Sequence, residues 1–228
     1  MTCQSYTLSM EQPVQVDLTN ASFDEFISFL FDRDVSSDSE KQDPWYWQVE
    51  TTFAPEVICS YYVRLFQQPE FLSTRFSKAQ LEEGFWAIQG ANLNCSAYGI
   101  IHESDLPFSQ RAGCIRSMFD LFSHLFSKQS LDTSVSMWWD SMCYDWHCGN
   151  RKRERGGDDE RLQDAFFETL SKLLSSASGT CQGAALHGLG HLHHPETPKL
   201  IERYIQEHPS LTNEWKAYAL SAAKFQLM

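Results

Sequence analysis

Three histidines stand at a spacing that metal sites use. His187, His191 and His194 are four and three residues apart, so on one continuous helix they share a face, and neutral imidazoles on one face can hold a transition metal. His193 and His208 could add to the set. The familiar hydrolytic zinc helix carries a glutamate directly after its first histidine, as base for the metal-bound water, and here Gly188 takes that place. That mechanism is not supported. The face lies nearly opposite Leu189 and Leu192, so the sequence predicts a stripe of ordinary histidines on the solvent side of a helix. A metal site at His187, His191 and His194 is the alternative.

The second constellation is Cys143-Tyr-Asp-Trp-His147-Cys148, two thiols and an imidazole within one short stretch. The paired Cys-x-x-Cys knuckles of a structural zinc site are missing, so buried thiols at the end of a Trp-rich helix are expected. Other signatures are absent. There is no Gly-x-Ser-x-Gly elbow and no Gly-Lys-Ser/Thr phosphate loop, and Gly183, Gly188 and Gly190 fall inside a helix rather than after a strand. The carboxylate pairs Asp158-Asp159 and Glu82-Glu83 sit at helix starts or on polar faces, where acidic residues serve the helix dipole.

The histidines belong to a stretch from Gly179 to Ala223 that reads as short helices joined by a tight turn. Ala185, Leu189 and Leu192 make one apolar stripe, and Leu200, Ile201, Tyr204 and Ile205 make the next. Ala184, Ala185, Gly188 and Gly190 let a neighbour come close, and Pro195 or Pro198 fits a first helical turn. Over residues 179–226 the Ala-Leu-x-x-Leu-Gly-x-Leu order, then a Pro-Glu turn, then an aliphatic pair, resembles a HEAT-type helical hairpin. The resemblance implies stacked helices with a groove along their polar edges. No second copy of the pattern appears before Gly149.

Upstream, Ser22 with Glu25 and Ser77 with Gln80 are capping boxes that open helices. Residues 1–21 read as an arm or short extended segment, and Asp32 to Asp43 as a polar surface loop. Pro44-Trp-Tyr-Trp47 follows; three adjacent aromatics cannot all point one way, and a core plug is expected ahead of a partner hot spot. Helices are predicted from Pro55 to Pro69, from Ser77 to near Gly90, from Pro107 through Phe126, and around Val135 to Trp146. The run from Asn92 to Glu103 has no clear period and reads as an irregular connection. Gly149 to Glu160 reads as a solvated loop and candidate boundary at 149–158, its Arg151, Lys152, Arg153 and Arg155 offset by acids that follow. After it comes the cleanest helix, with Leu162, Ala165, Phe166, Thr169, Leu170 and Leu173 on one stripe. Trp215, Tyr218, Ala219, Ala222 and Phe225 mark the last.

With 42% hydrophobic residues, 16 Phe and 7 Trp, the chain is expected to fold as one continuous helical body over 1–228. Thirty acidic against eighteen basic side chains give a formal charge of -12, which disfavours nucleic acid and anionic membrane as partners. Seven scattered cysteines, no basic-then-apolar amino terminus and no bilayer-length apolar run read as a reduced, cytoplasmic protein. Asn20-Ala-Ser22 and Asn94-Cys-Ser96 match the glycosylation pattern and are discounted for the same reason.

The expectation is thus an all-α protein, its carboxy-terminal third a short HEAT-like α-solenoid and its amino-terminal part a helical bundle packed in series. Its expected role is a non-catalytic binding, scaffold or inhibitor module without a cofactor, gripping another protein through Lys199, Glu202, Arg203, Gln206 and Lys216. A metal-dependent enzyme at the histidines is one alternative. A structural subunit with apolar patches near Trp45 to Trp47 or Trp138 to Trp146 is another.

Overall fold

The computed structural model describes residues 12–35, 43–129, 131 and 133–227. Most of the expected amino-terminal arm, the middle of the Asp32 to Asp43 loop and Cys3 lie outside the described residues. The fold is all-α. In chain order the elements are β1 (Val14–Asp17), α1 (Phe23–Phe31), β2 (Val49–Thr52), α2 (Pro55–Gln67), α3 (Leu72–Arg75), α4 (Lys78–Gln89) and α5 (Ala97–His102). Then come α6 (Phe108–Leu121), α7 (Trp138–His147), α8 (Gly157–Leu174), α9 (Gly179–Leu192), α10 (Thr197–Glu207) and α11 (Asn213–Ala223). Among the described residues no helix is long and apolar enough to cross a membrane.

Both capping boxes form. The Ser22 amide donates to Glu25 at 2.7 Å and the Ser77 amide to Gln80 at 3.0 Å, so α1 and α4 start with their first donors satisfied. Two features depart from the sequence reading. The Asn92 to Glu103 run contains α5, capped by Ser96, whose hydroxyl accepts from the Gly99 amide at 3.0 Å. The helix is too short and too completely buried for a one-sided period to show. The second is β2, which pairs in parallel with β1 in register Val14 to Val49, β1 itself falling within the segment read as an arm or short extended stretch.

The core is a row of helices in which α2 packs on α6, α6 on α8, α8 on α9, and α9 on α11, with α7 laid against α9. A wide turn at Phe122–Phe126 extends α6 and brings Phe122 face to face with Trp139, ring centroids 5.3 Å apart, and Phe126 edge-on to Trp138 at 5.8 Å. Both tryptophans are fully buried, so the inner face of α7 is fixed, with Trp139 also facing Gly188 of α9. The α10 helix is tied to α9 through the Tyr204 hydroxyl, which donates to Gln182 Oε1 at 3.1 Å and accepts from Trp215 Nε1 of α11 at 3.0 Å. Its principal packing partner is α11.

The basic stretch after α7 is an ion-pair knot. Arg151 reaches Asp159 at 3.0 Å and donates to the His102 carbonyl at 2.7 Å, Arg153 reaches Glu160 at 3.0 Å, and α8 begins at Gly157. The expected loop is therefore shorter than its composition suggested, because the acids that open α8 hold the arginines in place.

Candidate metal centre

The α9 helix is apolar nearly all round, and such a helix is buried rather than half exposed. It is enclosed by α7, α8 and α11. Gly188 permits the approach of α7, since a Cβ there would stand 2.7 Å from Trp139 Cβ and 2.8 Å from Leu170 Cδ2. The expected solvent-side histidine stripe is therefore corrected: His191 is 1% exposed and His194 5%. The same packing explains the missing glutamate. A side chain at position 188 would enter the Trp139 contact instead of facing an ion.

His187 and His191, one turn apart, meet Asp140 from α7. Asp140 Oδ1 lies 2.6 Å from His191 Nε2 and 3.3 Å from His187 Nε2, and the two imidazole nitrogens are 3.2 Å apart. A first-row ion bonded at about 2.1 Å separates neighbouring donors by roughly 3.0–3.4 Å, so the three atoms need to shift by only a few tenths of an ångström to share one. They are the one group among the described residues with three donor atoms close enough to do so. Burial alone would raise the Asp140 carboxyl, but hydrogen bonds from His187 and His191 outweigh it and hold the group well below the usual carboxylate range. His187 is oriented by its other nitrogen, Nδ1, which lies 3.1 Å from the Tyr218 hydroxyl on α11. The Nδ1 of His191 is buried without a hydrogen-bond partner.

His194 does not join them. The chain leaves α9 through His193 in a left-handed conformation, φ 55°, which turns His194 onto α8. There it stacks on Phe167 at 3.9 Å, its Nε2 3.1 Å from Asp164, while its Nδ1 accepts from the Glu196 amide at 3.2 Å. Burial pushes this imidazole down against the pull of Asp164. The Cys143 and Cys148 thiols do not join either: the first is buried and the second lies at the surface, within 3.7 Å of the Asp145 carbonyl. His147 extends the imidazole row, its ring 4.8 Å from His191 and its Nδ1 3.1 Å from His193 Nε2.

Asp140 and His191 open on a cleft of about 890 Å³, whose wall includes Tyr46, Trp47, Trp86, Tyr98 and Tyr144. Trp47, in the aromatic triplet expected to plug the core, is 55% exposed here, whereas Tyr46 is buried. The proposed partner residues lie elsewhere. Lys199, Glu202, Arg203 and Gln206 are exposed along α10, and half-buried Lys216 donates to the Pro209 carbonyl at 3.0 Å.

Asp140 is the candidate ligand that the sequence hid. It sits seven positions before His147 on the same helix, two turns away on one face, but only the packing of α7 on α9 couples it to His187 and His191. Comparison with known protein families, with curated proteins and with solved structures returned no match.

Proposed function

We propose that this protein is a metal-dependent enzyme that binds a divalent first-row transition-metal ion between α7 and α9 through Asp140, His187 and His191. The observation that carries this reading is the convergence of three donor atoms, two imidazole and one carboxylate, within 3.3 Å of one another beside a ligand-sized cleft. Two imidazoles favour zinc, ferrous iron or cobalt over magnesium or calcium, and an ion held by Asp140, His187 and His191 would supply Lewis-acid polarisation of a substrate oxygen. The test is metal content after purification, followed by titration of the stripped protein with zinc and cobalt. Stoichiometric metal, lost in His191→Ala and Asp140→Ala, is the expected result; equal metal in wild type and both variants defeats the reading.

A second reading, a binding module that docks another protein on α10, is favoured by one observation. Lys199 and Arg203 line a groove of about 480 Å³ with Phe167, Glu168 and Leu200. Affinity capture comparing wild type with a charge-reversed Glu202/Arg203 double variant tests it, and equal recovery of the same partner by both removes this surface.

A further inference from the structure

Among the described residues five large apolar side chains are exposed, and three of them, Trp47, Met137 and Tyr144, line the cleft that also holds Asp140 and His191. Exposed aromatics scattered singly are ordinary, but a concentration on one concave wall marks a place where a flat apolar body leaves water. Gln89 lines the same cleft, and its buried amide leaves both Oε1 and Nε2 without a partner, so hydrogen-bonding capacity is held there uncommitted.

Charge narrows the class further. No lysine or arginine lines the cleft among the described residues, and its only carboxylates are Asp140 and Asp145. Asp145 is already engaged, accepting from Tyr98 at 2.9 Å and from Asn150 at 3.1 Å with Arg151 at 3.6 Å. A divalent ion on Asp140 leaves about one positive charge at the site. That balances one negative charge on a ligand and no more, so phosphate monoesters and nucleotides are poorly matched.

We propose, resting on the metal centre above, that the cleft takes a small flat aromatic molecule carrying one metal-binding oxygen group of at most one negative charge, its ring against Trp47 and Tyr144 and its oxygen on the ion. The carboxylate, phenolate and hydroxamate groups meet this description.

The test uses the full chain loaded with cobalt, whose visible absorption reports ligands on the metal while tryptophan fluorescence reports the wall. The probes are benzohydroxamate, acetohydroxamate and phenyl phosphate. Benzohydroxamate is expected to bind roughly ten-fold tighter than acetohydroxamate, the factor a ring contact supplies, with phenyl phosphate weakest. Trp47→Ala is expected to remove that preference with cobalt uptake unchanged, and Trp47→Phe to keep most of it. Cobalt that binds while the two hydroxamates compete equally, or a preference that survives Trp47→Ala, overturns this inference alone. Wild-type protein that takes up no cobalt overturns the metal centre, and this inference with it.

Discussion

The Oδ1 atom of Asp140 lies 2.6 Å from Nε2 of His191, so α7 and α9 touch through the same atoms that would hold an ion. A ligand that bridges two packed helices in the native state and not in the unfolded chain stabilises by mass action. At a free concentration a hundred times its dissociation constant the gain is about 2.7 kcal/mol, or roughly 5–10 °C in melting temperature for a chain of this size. Zinc or cobalt added to the stripped protein is expected to give that shift, and Asp140→Asn to abolish it. A thermal melt with the same shift in the variant would refute it.

Position 188 tests whether the closeness of α7 and α9 is required. Gly188→Ala would place a methyl 2.7 Å from Trp139 Cβ and 2.9 Å from Trp139 Cγ, and the tryptophan, fully buried, has nowhere to retreat. Overpacking of this kind costs about 1–3 kcal/mol, and by pushing α7 outward it should also weaken metal uptake. Gly113→Ala on α6 is the control, since a methyl there meets nothing within 4 Å. It should stabilise by about 0.5–1 kcal/mol through helix propensity. Urea unfolding of the pair decides the matter: equal midpoints would show that the α7 to α9 contact yields without cost.

These two helices also show what the sequence could and could not reveal. The α8 and α10 helices have one wet face and one dry face, and their stripes were readable residue by residue. The α9 helix has no wet face to speak of, so a reading that assumed two sides assigned its histidines to solvent. The spacing of His187 and His191 was legible because a helix fixes it locally. The loss of His194 was not, because it depends on His193 adopting a left-handed φ of 55° just after the last turn. Asp140 was invisible for a third reason: which helices become neighbours is decided by aromatic packing around Trp138 and Trp139, and a single sequence does not print that pairing.

His102 supplies a pH test away from the candidate metal ligands. Its Nε2 lies 3.1 Å from the Met142 carbonyl and so carries the proton, while Nδ1 is buried with no acceptor for a second one. Burial, reinforced by the Arg151 charge, pushes this imidazole well below its ordinary 6.5. A base that stays neutral when folded but protonates when unfolded contributes stability that is complete above about pH 6.5 and declines as pH falls below it, by up to about 1.4 kcal/mol per pH unit. Denaturant melts from pH 7 to pH 5 should show this slope in wild type and a shallower one in His102→Gln. Parallel curves would mean that other groups dominate acid sensitivity.

Glu82 on α4 holds the turn that leads into α7, and through it the cleft wall. Its carboxylate accepts from the Thr133 and Ser134 amides at 2.8 and 2.7 Å and from their hydroxyls at 2.8 and 3.1 Å. The Thr133 hydroxyl also accepts from Trp86 Nε1 at 3.2 Å, so one acid ties a cleft aromatic to the turn just ahead of Asp140. Burial would raise this carboxyl, but the hydrogen bonds from Thr133 and Ser134 outweigh it and the net shift is downward. The stability it contributes is therefore present above about pH 4.5 and lost as pH falls through its lowered value. Glu82→Ala leaves two turn amides without their acceptor, which should cost about 1–3 kcal/mol at neutral pH, less if water reaches the half-exposed turn. Because the first turn of α7 carries Asp140, the same variant should bind zinc more weakly and shift the Trp86 fluorescence, with Glu82→Gln intermediate in both. Unchanged melting temperature and zinc affinity in Glu82→Ala would mean that the tryptophan-packed face of α7 positions Asp140 without this clamp.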